Sequence, residues 1–184
     1  MKKIVFGLLM LMSFYSNGQE TEFTFTSEKG MTDYIITPIE GKTAPEIYKK
    51  VIEWIKVKYK NPNEVILSTI ENEYIRFEGI SDISKTKSKY QIEISIKDGK
   101  YKFDLISLQV YIAPNQMGIA VGWSNYYINF NTNTTKESRE NMYKSDGSYK
   151  SWCKNTPEIP TFFNDLNKSL FDSIVSTVKK TDGW

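Results

Sequence analysis

Residues 90–105 alternate apolar and polar side chains on both sides of one Asp98-Gly99 pair, and few folds accommodate that pattern. Tyr90, Ile92, Ile94 and Ile96 lead in; Tyr101, Phe103 and Leu105 lead out. A period of two places all of these on one face of a strand pair. Asp-Gly between two such runs predicts a two-residue type I′ hairpin, in which both central residues need positive φ. Counting outward pairs Ile96 with Tyr101, Ile94 with Phe103 and Ile92 with Leu105. A slip of one residue would turn every one of them towards water. On the opposite face Glu93 meets Asp104, a like-charge pair that Lys102 offsets. Beyond Leu105 the apolar positions change parity to Ile106, Leu108, Val110 and Ile112. That shift predicts a β-bulge near Ile106, or a strand buried on both faces.

The rest of the chain supplies what such a hairpin needs to pack against. Residues 33–39 (DYIITPI) read as a short strand with Pro38 at an edge or end. Thr43, Pro45 and Glu46 form a helix start with a capping box. The helix places Ile47, Val51, Trp54, Ile55 and the stem of Lys58 on one face before Asn61-Pro62-Asn63 stops it. Residues 65–70 and 74–77 read as strands joined by Glu71-Asn72-Glu73, a loop of hairpin length. A polar stretch follows at 81–89, in which Lys85, Lys87 and Lys89 read as a solvated loop. From 113 to 156 the pattern weakens into an irregular excursion holding one further hairpin, with a turn at Asp146-Gly147. Pro160 and Thr161 then open a helix with Phe163, Leu166, Leu170, Ile174 and Val178 at helical spacing. The expected class is α+β, a curved antiparallel sheet with two packed helices, in one domain over 19–184.

The start of the chain bears on location. Lys2 and Lys3 precede an apolar run at 4–12, and Ser16-Asn17-Gly18 offers small residues before Gln19. This is the layout of a secretory signal peptide at 1–18, cleaved between Gly18 and Gln19. The run falls well short of the roughly 20 residues that span a bilayer, so no integral membrane span is expected. The expected address is periplasmic or secreted. Of 24 Lys and Arg against 22 Asp and Glu, the excess of two is Lys2 and Lys3. The mature chain is thus formally neutral, which argues against nucleic acid as a partner. It has one cysteine, Cys153, and no histidine. An internal disulfide is therefore impossible, and most zinc sites and Ser-His or Cys-His nucleophile pairs are excluded. No cofactor, metal or catalytic residue is assigned.

The segments at 23–66 (FTFTSEKGMTDYIITPIEGKTAPEIYKKVIEWIKVKYKNPNEVI), 71–79 (ENEYIRFEG), 90–112 (YQIEISIKDGKYKFDLISLQVYI) and, more weakly, 157–175 carry a resemblance. The sequence resembles the exported bacterial proteins, common in Bacteroidetes-type bacteria, grouped as a domain of unknown function with a TBP-like fold. The resemblance implies a curved antiparallel sheet backed by helices. It implies no activity and no functional residues, and fold alone implies neither.

Candidate chemistry is sparse. Trp123, Tyr126 and Tyr127, with Phe130 nearby, form the best candidate binding surface, because rigid amphipathic rings give contact area at low entropy cost. The alternative is a strand with half its rings in the core, since alternation separates Tyr126 from Tyr127. Glu71 with Glu73 and Glu93 with Asp104 are the acidic pairs that a carboxylate-only glycan hydrolase would require in a cleft. Such pairs are common on sheet surfaces and turns, so solvation is the reading for both. The expected function is a non-enzymatic module binding an envelope protein or a cell-surface polymer. The alternatives are that hydrolase and a small-ligand carrier with an apolar cavity.

Overall fold

The computed structural model describes residues 20–114, 122–126 and 135–176. Within them the chain forms β1 (Phe25–Thr26), β2 (Gly30–Met31), β3 (Tyr34–Pro38), α1 (Ala44–Lys58), α2 (Pro62–Val65), β4 (Ile66–Ile70), β5 (Tyr74–Ile83) and β6 (Thr86–Lys97). β7 (Lys100–Ile112), β8 (Gly122–Asn125), α3 (Lys136–Glu140), a 3-10 turn (Ser151–Cys153) and α4 (Glu158–Val175) complete the order. The main sheet is antiparallel and open, ordered β3-β7-β6-β5-β4. β8 pairs with the far end of β7, joining Gln109 to Asn125 and Tyr111 to Trp123. The cleavage site at Gly18 and Gln19, together with Tyr127 and Phe130, lies outside the described residues.

The central hairpin has the register counted from the sequence, with Ile96 opposite Tyr101, Ile94 opposite Phe103, and Ile92 opposite Leu105. Gln91 then pairs with Ser107, so Ile106 is the extra residue of a bulge. Leu108 returns to the buried face and Ile106 stays exposed.

The turn is not type I′. Gly99 has φ of 72°, but Asp98 does not adopt positive φ. Tertiary contacts decide the turn instead. Ile39 donates its N–H to the Gly99 carbonyl at 2.8 Å, and Gly99 donates to the Lys42 carbonyl at 2.9 Å. The Ala44 N–H at the start of α1 donates to the Asp98 carboxylate at 2.7 Å. Asp98 thus places a negative charge on the N-terminus of α1, where the helix dipole favours it. The Thr43–Glu46 capping box forms alongside, with the Glu46 carboxylate accepting the Thr43 N–H at 2.8 Å.

Helices α1 and α4 cover one face of the sheet. Ile47, Val51, Trp54 and Ile55 of α1 meet Phe163, Leu166, Leu170 and Ile174 of α4 over the inward residues of β5, β6 and β7. Each such side chain contributes about 1.5–3 kcal/mol on burial. Gly79 lies opposite Tyr90 on this face, and the Tyr90 ring covers it. The Tyr90 hydroxyl meets that of Tyr59 at 3.0 Å. The segment before β1 is clamped to α4: Phe23 donates its N–H to Asn164 Oδ1 at 2.7 Å, and Asn164 Nδ2 donates to the Phe23 carbonyl at 3.0 Å.

A further sequence expectation changes. The lysine-rich stretch is not a loop: β5 runs to Ile83, Ser84 and Lys85 make the turn with positive φ, and Thr86 begins β6. Ser88 is buried between Lys87 and Lys89, so those lysines share the outer face. In the excursion, β8 folds back antiparallel onto the end of β7, and among the described residues around the Asp146-Gly147 turn there is an isolated bridge, Tyr143 to Tyr149.

Candidate functional site

The sheet face opposite the helices is uncovered. Along β5, β6 and β7, every residue pointing that way is exposed or half-buried, while the helix-side neighbours are buried except towards the strand ends, at Ser81, Thr86, Val110 and Ile112. A solvated face on an antiparallel sheet is ordinary when its residues are polar. Here it also carries Tyr34, Ile70, Ile80 and Tyr111, which are 47%, 52%, 55% and 41% exposed.

The two ends of this face differ. At the end near β3, charges pair with one another. The Arg76 guanidinium donates to Glu93 at 2.6 Å, and Lys102 donates to Asp104 at 2.6 Å while its ammonium lies 5.1 Å from the Tyr34 ring centroid. Glu93 and Asp104 are cross-strand partners, as counted, and each is held by its own cation. Their shared position lies on an open sheet surface, unlike the cleft that glycoside hydrolysis requires. Glu71 and Glu73 occupy the exposed β4–β5 turn.

At the other end, cations meet rings. Trp123 and Tyr111 pack edge-to-face with centroids 5.4 Å apart. Lys89 Nζ lies 5.0 Å from the Trp123 ring centroid, and Lys87 Nζ lies 5.7 Å from that of Tyr111. Gln109 donates to the Asn125 side chain at 3.1 Å beside them.

Trp123 and Tyr126 do not share a surface. The Tyr126 N–H donates to the Leu108 carbonyl at 2.9 Å, and its ring packs against the core on the helix side. Burial raises its hydroxyl pKa, with Cys153 adding to the effect. Alternation along β8 explains the split, because positions 123 and 126 differ by an odd number. Sequence reasoning missed Tyr111, Lys87 and Lys89 as companions of Trp123. The alternation of KTKSK was the available signal, once read as a strand.

Other concavities are of lesser interest. An open groove of about 650 Å³ runs between the β1–β2 hairpin and Tyr34, with Glu20, Glu28 and Asp33 on its walls. Burial, then Asp104 and Glu20, raises the Asp33 pKa. Glu20 is itself engaged, accepting from Thr32 at 2.6 Å and lying 3.6 Å from Lys29. Between the sheet and α4, Ser88, Leu108, Tyr126 and Ile159 line a space of about 30 Å³, room for about one water rather than a carried ligand. Among the described residues no cluster of three acidic or cysteine side chains could hold a metal ion, and no helix is long and apolar enough to cross a membrane.

Residues 35–111 match the family model of DUF4468, a domain of unknown function with a TBP-like fold. The fold is also similar to the crystal structure of a DUF4468 family protein from Bacteroides ovatus. That match has a TM-score of 0.56 at 13% identity, covering 82% of this chain and 90% of that one. A TBP-like protein from Parabacteroides distasonis matches with a TM-score of 0.46 at 16% identity, covering 77% of this chain and 90% of that one. No curated protein matches significantly. The resemblance to this family and the TBP-like α+β fold expected from the sequence are therefore borne out.

Proposed function

We propose that this chain, with its DUF4468-type domain, is an exported non-enzymatic binding module that works through the bare face of its sheet. The observation that carries the reading is the mixture on that face. Solvent-facing aromatic and aliphatic side chains stand among fixed ion pairs, whereas a surface meant only for water would be polar. Export is read from the leader pattern at 1–18 and places the partner in the cell envelope or beyond. The hydrolase alternative has weaker support, because its candidate carboxylates are each neutralised by a cation or lie on an exposed turn.

The test is a cross-linked pull-down of residues 19–184 from envelope extract, repeated with Ile80→Ser and Tyr111→Ala together. A helix-side control, Val57→Ser, changes a residue 89% exposed on α1. A partner that is lost in the sheet-face variant and kept in the control supports the reading. Equal capture by both variants refutes the assignment to this face.

A further inference from the structure

We propose that the Tyr111–Trp123 end of the bare face binds an acidic glycan, an inference that rests on the binding-module reading. The argument begins with charge. Among the described residues, Lys87 and Lys89 form no ion pair, although Asp82 is the cross-strand partner of Lys87. At the opposite end of the same face the cations Arg76 and Lys102 are neutralised by carboxylates. A ring holds an ammonium in place without cancelling its charge, because a ring offers a quadrupole and no net charge. Lys87 and Lys89 are therefore positioned cations with their field still available. Two residues apart on one strand, their backbone positions are separated by about 7 Å.

The neighbouring groups narrow the ligand class. Tyr111 and Trp123 offer aromatic surface suited to the C–H face of a sugar ring. Gln109 and Asn125 satisfy one hydrogen bond between them and retain further donor and acceptor capacity for hydroxyls. One acidic sugar carries an apolar face, hydroxyls and an anionic group together. An acidic peptide supplies the charge but lacks the rigid C–H face, so the glycan fits the whole set of side chains better.

Titration calorimetry on residues 19–184 with a short oligogalacturonate and with a sulfated dextran tests this directly. The expected result is binding to at least one of them that weakens with added salt. Lys87→Gln with Lys89→Gln, and separately Trp123→Ala, should each reduce that affinity about tenfold. Circular dichroism checks that each variant remains folded. The proposal is overturned if a neutral oligosaccharide binds as well, if a polyglutamate peptide binds equally and competes, if the variants bind like the parent, or if neither acidic probe binds. The envelope pull-down reads any protein or polymer partner of the face, so it can still succeed when neither acidic probe binds.

Discussion

Replacing Gly79 with alanine should destabilise the protein, although alanine is the better residue on backbone grounds alone. The φ of Gly79 is not positive, so a side chain is tolerated by the backbone, and the substitution gains about 0.4–1 kcal/mol from the unfolded state. The obstacle is Tyr90. A Cβ at position 79 would stand 2.4 Å from Tyr90 Cζ, 2.4 Å from its hydroxyl oxygen and 2.6 Å from Cε2. Carbon atoms rest about 3.5–4.0 Å apart, so the ring must withdraw by more than about 1 Å. It has little freedom to do so. Tyr90 is 2% exposed, and it packs edge-to-face on Phe162 at 5.4 Å and Phe163 at 5.7 Å. Overpacking of this kind costs about 1–3 kcal/mol. Pulling the hydroxyl from Tyr59 adds about 1–3 kcal/mol for a buried group left unsatisfied. After the backbone gain, the expected loss is about 1–6 kcal/mol out of a total of about 5–15 kcal/mol. Urea unfolding followed by circular dichroism measures it. In a double-mutant cycle with Tyr90→Leu, relief of the clash should appear as coupling of more than about 1 kcal/mol. A G79A variant as stable as the parent, or costs that simply add, would refute the reasoning.

Other substitutions probe the remaining joints. Asp98→Ala should cost about 1 kcal/mol by removing the charge that caps α1 across the turn, with faster amide exchange at Ala44 as its local sign. Asn164→Ala should release the segment around Phe23, seen as proteolysis there and a stability loss of about 1–3 kcal/mol. Two carboxylates should give opposite acid responses. Bonds from the Thr43 N–H and hydroxyl hold the Glu46 pKa below its ordinary 4.5, so its contribution is present above that value and is lost as pH falls through the folded value. Burial raises the Asp33 pKa above its ordinary 3.8, so its contribution is present below that value and is lost as pH rises through the folded value. Urea midpoints across the carboxylate range should show Glu46→Gln abolishing the first trend and Asp33→Asn the second. The same slopes in parent and variants would refute both assignments.

The hairpin register, the bulge and the buried faces of both long helices were legible because each rests on a local period. Tyr90 to Leu105 and Ile47 to Ile55 needed no distant information. The turn type was not legible, since hydrogen bonds from Ile39 and Ala44 override the preference of Asp-Gly. The candidate surface was half visible. Trp123 stood out, but its grouping with Tyr126 ignored the alternation of a four-residue strand. Tyr111 and Lys89 reach Trp123 only through strand pairing, which nothing local announces.

The extra residue at the bulge separates the shape of this face from its chemistry. Without Ile106, Leu105 and Ser107 would adjoin in an unbroken ladder, with Leu108 and Val110 still inward and Gln109 and Tyr111 still outward. The inventory of side chains on the bare face would hardly change. What would change is the bend and added twist that a bulge imposes on its strand, and with them the angle between the ring-bearing end and the ion-paired end. Ile106 is thus a removable residue in the middle of a strand, where chains ordinarily tolerate loss least. A chain shortened there keeps its contacts but flattens its surface. Ligands that engage one end should be indifferent to the deletion, while a rigid ligand spanning both ends should not.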